Sequence, residues 1–179
     1  MSFISFEKEN RRKKIRKFKL KMGLDMKHTV VMCIGSRRGG DDAIGPYIAD
    51  RLLKKQNNDI VVLDCGIAPE SYTSLVKKYN PKYLLIIDAV DMGLKPGETR
   101  IIPIEKISEI QMHISTHNIP LSILVRYLCR YVKNIIFIGI QPKTLSGEMT
   151  PAVRKSGDRI VDLIIKNEVR IPGAIGVFQ

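Results

Sequence analysis

The sequence predicts a three-layer α/β/α sandwich built on a mostly parallel sheet, and three observations lead there. Short apolar runs rich in β-branched residues recur along the chain, each ending near a glycine, an aspartate or a proline. Between them lie segments whose apolar residues repeat at helical spacing. The runs are apolar at successive positions rather than alternate ones, as expected of strands covered by helices on both faces. With 179 residues, 44% of them hydrophobic and 27% charged, the chain can bury one sizeable core. A single α/β domain over residues 29–179 is expected, preceded by a basic extension over residues 1–28.

The elements follow in order. TVVMCIG (29–35) reads as a buried strand closed by Gly35, and the glycine-rich turn SRRGG follows it. Asp41 and Asp42 then precede AIGPYIADRLLKK, where Ile44, Tyr47, Ile48, Leu52 and Leu53 share a helical face. Pro46 fits only in a first turn, which puts the helix start near Asp42. DIVVLDCG (59–66) is the second strand, PESYTSLVKKY (69–79) the second helix, and PKYLLIIDAVD (81–91) the third strand. TRIIPI (99–104) reads as an extra strand. STHNIPLSILVRYLCRYV (115–132) is a helix with Ser115 and Thr116 as cap candidates. NIIFIGIQP (134–142) is the last buried strand, TPAVRKSGDRIVDLIIK (150–166) the last helix, and the final residues read as a loose tail.

Charge and cysteines exclude several classes. Residues 1–28 hold ten Lys/Arg against Glu7, Glu9 and Asp25, so seven of the formal +12 sit in that arm. It reads as a solvated basic segment, and it lacks the apolar core and cleavage site of a secretory signal. Met22 and Met26 stand just before the first strand, which leaves an internal start as a second reading of the arm. No apolar run approaches the roughly 20 residues of a spanning helix, so membrane insertion is not expected. Cys33, Cys65 and Cys129 are odd in number and widely spaced. They argue against a disulfide scaffold or a cysteine zinc site and suit a reducing, cytoplasmic setting. Cys33 and Cys129 read as packing residues; Cys65 has no base positioned beside it. The chain carries no G-x-G-x-x-G, P-loop, G-x-S-x-G or H-E-x-x-H motif.

The residues with chemistry gather where open α/β sheets bind ligands, beyond the carboxyl ends of the strands. Asp41 and Asp42 follow strand one, Asp64 ends strand two, Asp88 and Asp91 end strand three, and His117 opens a helix near the same edge. Carboxylates buried without cations are costly, and carboxylate oxygen together with imidazole nitrogen suits a borderline divalent metal such as zinc or nickel. Each residue also has an ordinary reading. One of Asp41 and Asp42 would cap the helix, Asp64 would shape the Cys65–Gly66 turn, Asp88 would form the turn after its strand, and His117 would be a hydrogen-bonded structural histidine. His28 and His113 read as surface residues.

The blocks GSRRGGDDAIGP (35–46), DCGIAPE (64–70), LLIIDAVDMGLKPGE (84–98), STHNIPLS (115–122) and IFIGIQP (136–142), in that order, resemble the hydrogenase maturation endopeptidases. They are most like the subgroup acting on hydrogenase 3-type [NiFe] enzymes. The resemblance spans about residues 29–165. It implies an endopeptidase that removes the C-terminal extension of a [NiFe] hydrogenase large-subunit precursor after nickel insertion. The nickel would be supplied by the substrate, with another divalent metal able to substitute, and would be part of what is recognised. The family's three metal-contacting side chains match Asp42, Asp88 and His117, which would then be both the metal and the catalytic set. The large-subunit precursor is the expected partner of a monomeric protease, with no nucleic acid involved. One departure stands out: relatives carry Asn after the first glycine and apolar residues next, where this chain has Ser36, Arg37 and Arg38. The two arginines would either meet an acidic or carboxylate-bearing extension or sit solvated on the turn. The competing readings are a nickel-dependent scaffold, a protease for another metalloprotein precursor, or a nucleic-acid or membrane-surface binding module working through the basic arm.

Overall fold

The computed structural model describes residues 28–55, 59–107, 120–166 and Val169. The basic arm up to residue 27, His113, His117, the cap candidates Ser115 and Thr116, and most of the C-terminal tail lie outside those residues.

Five strands form one sheet: β1 (Thr29–Ile34), β2 (Ile60–Gly66), β3 (Tyr83–Ala89), β4 (Thr99–Ile102) and β5 (Ile135–Ile140). Their order is β2-β1-β3-β5-β4. The β1–β2, β1–β3 and β3–β5 pairs are parallel, and β4 pairs antiparallel with β5 at the edge. The mostly parallel sheet and the extra strand therefore stand as expected. TRIIPI is shorter as a strand than as a sequence block because Pro103 has no N–H to give the ladder; a short 3-10 turn over Ile104–Lys106 follows it.

The helices are α1 (Ile44–Lys54), α2 (Thr73–Tyr79), α3 (Leu121–Leu128) and α4 (Pro151–Ile165). Two cores show the three layers. On one face Ile44, Ile48 and Leu52 of α1 and Val153, Ile160 and Ile164 of α4 pack on Val31, Cys33, Leu85, Ile87 and Ile138. On the other, Val76 of α2 and Leu121, Leu124, Val125 and Leu128 of α3 pack on Val30, Met32, Ile34, Leu84, Ile86 and Phe137. Alternate residues of β1 and β3 thus serve opposite cores, which explains why their sequences are apolar without a break. Tyr47 O–H donates to Asp158 Oδ1 at 2.8 Å and fastens α1 to α4.

Helix starts differ from expectation: α3 begins at Leu121, after an extended Pro120, although the sequence block places its start at Ser115 or Thr116, and the entry to α1 also differs. The chain does not enter α1 directly at Asp42 but passes through a 3-10 turn over Gly40–Ala43. Pro46 still falls in the first turn of α1, where no intrahelical partner is lost. A second 3-10 turn, Pro69–Tyr72, leads into α2 in the same way. Both tighter turns follow the carboxyl end of a strand, the first after the glycine-rich turn and the second after two residues. Among the described residues no helix is long and apolar enough to cross a membrane.

Candidate active site

The strand order reverses between β1 and β3: the chain moves from β1 outward to β2, then returns past β1 to β3, with β4 and β5 both beyond it. At such a switch point the connections leave in opposite directions and open a crevice at the carboxyl ends. Asp42 follows β1 and Asp88 is the last residue but one of β3, so the two acids stand on either side of it. Cys33 and Ile87 are register partners, which places Asp88 beside the Ile34–Gly35 step. The 3-10 turn bearing Asp42 packs against β3. Both carboxylates are buried, each at 4% exposure.

Asp42 is held by the glycine-rich turn. Ser36 N–H donates to its Oδ2 at 2.8 Å, and its own N–H donates to Gly39 O at 3.0 Å. Gly35 has φ +139°, and a Cβ there would run into the carbonyl oxygen of Asp42. Only glycine accepts both that backbone conformation and that approach. Asp42 is thus bound to the turn and does not cap α1 with its side chain.

The other acids have different employment. Asp41 is fully buried and accepts hydrogen bonds from the loop after β5: from Thr150 N at 2.6 Å, Lys143 N at 2.7 Å, and the Thr150 hydroxyl at 3.1 Å. It does not cap its own helix and instead ties that loop to the turn. Asp64 Oδ2 accepts Arg37 Nη2 at 2.5 Å, so it is an ion-pair partner as well as a turn residue. The register between β1 and β2 skips Cys65, because Cys33 faces Asp64 and Ile34 faces Gly66. This bulge leaves Gly35 N–H to donate to Gly66 O at 2.9 Å. Asp91 lies past the end of β3, where its Oδ1 accepts Gln141 Nε2 at 3.0 Å and Gly93 N–H at 3.1 Å.

Arg37 answers the question raised by the Ser-Arg-Arg departure for one of the two arginines. Its guanidinium holds Asp50 in a fork, at 2.8 and 2.9 Å, and Asp64 with the same Nη2. The hydrogen bonds that Arg37 donates hold the Asp50 carboxyl below its ordinary range, and their acceptance by Asp50 and Asp64 pushes the guanidinium up. Arg37 is therefore half-exposed but engaged, its guanidinium committed to Asp50 and Asp64. Arg38 is exposed and lines, with Ser36, Asp64, Ile67 and Tyr72, a cleft of about 370 Å³ over the ends of β1 and β2. A second cavity of about 540 Å³, between β4 and α4, is lined by Arg100, Ser156 and Arg159 and holds none of the candidate acids.

Thiol chemistry has no foothold here. Burial pushes the Cys33 and Cys65 thiols well up, away from the thiolate that a nucleophile needs. Cys129 corrects the packing expectation: it is exposed, because it sits one residue past the end of α3. His28 is exposed, as expected of it. Gln141 was not singled out by sequence reasoning, although it stands in the GIQP block. It is buried, and its Oε1 accepts Met92 N–H at 2.7 Å and Leu94 N–H at 3.2 Å, fixing the segment after Asp88. Asp50 was also missed; as one charge on the polar face of α1 it carried no signal. Among the described residues no three His, Cys, Asp or Glu side chains are grouped to hold a metal ion. Asp42 and Asp88 supply two carboxylates, and the third member of the expected set, His117, lies outside those residues.

With this geometry in view, the likenesses to known proteins are specific. The family model for hydrogenase maturation proteases matches residues 46–167. This chain belongs to that family. It is 42% identical over 113 residues to the hydrogenase 3 maturation protease of Escherichia coli K12, an alignment covering 63% of this chain and 72% of the relative. The solution structure of the E. coli endopeptidase HycI superposes with a TM-score of 0.73 at 36% identity, covering 79% of this chain and 91% of that one. The crystal structure of the [NiFe] hydrogenase maturation protease HycI from Thermococcus kodakarensis gives 0.70 at 29% identity, covering 79% and 92%. The chain is thus an endopeptidase of hydrogenase maturation, and the α/β/α sandwich read from its sequence is the fold of these proteases.

Proposed function

We propose that this protease removes the C-terminal extension of a [NiFe] hydrogenase large-subunit precursor once nickel has been inserted. Asp42, Asp88 and His117 are the side chains that meet the precursor's nickel. The observation that carries this reading is the pairing of two buried carboxylates, Asp42 and Asp88, across the switch point of a maturation protease. Two acids taken out of water beside one another are costly, and a cation offsets the cost. Carboxylate oxygen, joined by the imidazole of His117, suits a borderline divalent ion and leaves further positions for the precursor's own ligands.

In this scheme the nickel belongs to the substrate, where it serves as a docking point and a Lewis acid near the scissile bond. The protease supplies position. Ser36 N–H orients the Asp42 carboxylate from one side, and the buried Gln141 fixes the chain leaving β3 on the other. Binding that depends on the metal spares an unloaded precursor, a checkpoint set by a difference of affinities. No thiol nucleophile is available from the buried cysteines, which favours direct attack by water.

Variants of the three side chains, each incubated with nickel-loaded precursor and read by intact mass, test the assignment. Asp42→Asn, Asp88→Asn and His117→Ala should each reduce processing to background while the protein stays folded. Wild-type cleavage by folded His117→Ala would remove the histidine from the set, and the same result with Asp42→Asn would end the proposal.

A further inference from the structure

Asp41 and Asp42 are consecutive residues of one 3-10 turn, and they do opposite things. In such a turn successive side chains diverge by roughly a third of a revolution. Asp42 consequently faces the glycine-rich turn, and Asp41 faces the loop between β5 and α4. The hold on that loop is extensive. Oδ1 of Asp41 accepts Thr150 N–H at 2.6 Å; Oδ2 accepts Lys143 N–H at 2.7 Å, Thr144 N–H at 3.2 Å and the Thr150 hydroxyl at 3.1 Å. Asp41 N–H in turn donates to Thr144 O at 2.9 Å. The carboxylate is fully buried, so these bonds offset the cost of removing its charge from water. Turn and loop also touch directly: Gly40 has φ +59°, and a Cβ there would come within 2.7 Å of Ser146 O.

We propose that Asp41 is a positioning residue of the protease. By capturing the 143–150 loop it fixes the rotation of the Gly40–Ala43 turn, and thereby the direction in which the Asp42 carboxylate points. The path is short and continuous, from the loop through Asp41 to Asp42 and on to the Ser36 amide. The inference rests on Asp42 acting in the site, as proposed above, but the position of its carboxylate can be observed apart from catalysis.

Two variants test it. Asp41→Asn places an amide N–H₂ among backbone N–H donors, so at least one of the captured bonds is lost. Thr150→Val removes only the hydroxyl, which makes no capping bond to its own helix. The Ser36 amide, which donates to Asp42 Oδ2, reports the carboxylate's position in a ¹H–¹⁵N NMR spectrum of the metal-free protein. In folded Asp41→Asn its resonance should shift and its hydrogen exchange should quicken. Processing of nickel-loaded precursor should fall about 10- to 100-fold in kcat, with KM raised as the docking contact of Asp42 weakens, the usual cost of losing an outer partner of a site ligand. Thr150→Val should move both readouts in the same direction by less, and it decides alone if Asp41→Asn does not fold. An unmoved Ser36 amide, or an unchanged kcat, would overturn the proposal and leave Asp41 as an anchor of the loop only. If the wild-type protein cleaves no loaded precursor, the functional reading fails, and the Ser36 amide alone decides whether Asp41 positions Asp42.

Discussion

At the residue scale, two adjacent acids show how much of a site can be read from a sequence and where reading stops. Their place after the first strand marks them as residues of the sheet's binding edge, but their order in the chain does not say which one faces the crevice. That is settled by a loop about a hundred positions away, whose backbone donors claim Asp41. Asp42→Asn keeps an acceptor for the Ser36 amide while replacing one of the two buried acids at the switch point with a neutral amide. Its Tm without metal should equal or exceed the wild-type value, measured by calorimetry, although processing is lost. Arg37 yields a pH prediction. Asp50 carries a carboxyl held down in the folded state, so its contribution is present above the unfolded pKa and fades as pH falls through the folded one. Thermal melts of the wild type and Arg37→Met should therefore differ at pH 6 and converge in acid below about pH 4, the ordinary carboxyl range. The Arg37–Asp50 pair is half-exposed, which keeps the effect small.

At the scale of elements, the strands were legible because burial on both faces leaves unbroken apolar runs, as in Tyr83–Ile87. The 3-10 entries to α1 and α2 were not legible, since the same residues suit an α-helical first turn. The bulge at Cys65 was hidden for a related reason: an extra residue in an edge strand leaves the apolar pattern almost intact. Helix α1 carries the turn that bears Asp42, and its grip on the sheet is apolar, through Ile44, Ile48 and Leu52. Ile48→Ala should cost about 2–5 kcal/mol, as for other fully buried large-to-small changes, measured by urea denaturation. A cost under about 1 kcal/mol would mean that α1 is not held this way.

At the scale of the molecule, the order β2-β1-β3-β5-β4 is what turns separate acids into a pair, because its reversal lies between β1 and β3. Sequence spacing reveals the alternation of strands and helices but not the strand order, so the convergence of Asp42 and Asp88 was an expectation that the topology had to supply. The excess basic charge belongs mainly to residues outside the family match, which begins at residue 46. Deleting residues 1–27 should accordingly leave the processing rate close to that of the full chain, measured on the same precursor; a large loss would assign the arm to substrate binding. Whether the carboxylates at the switch point read nickel carried by the substrate is decided by incubating the protease side by side with nickel-loaded and nickel-free large-subunit precursor and following the C-terminal mass. Release of the extension from the loaded form alone is the predicted result; equal cleavage of both forms would contradict it.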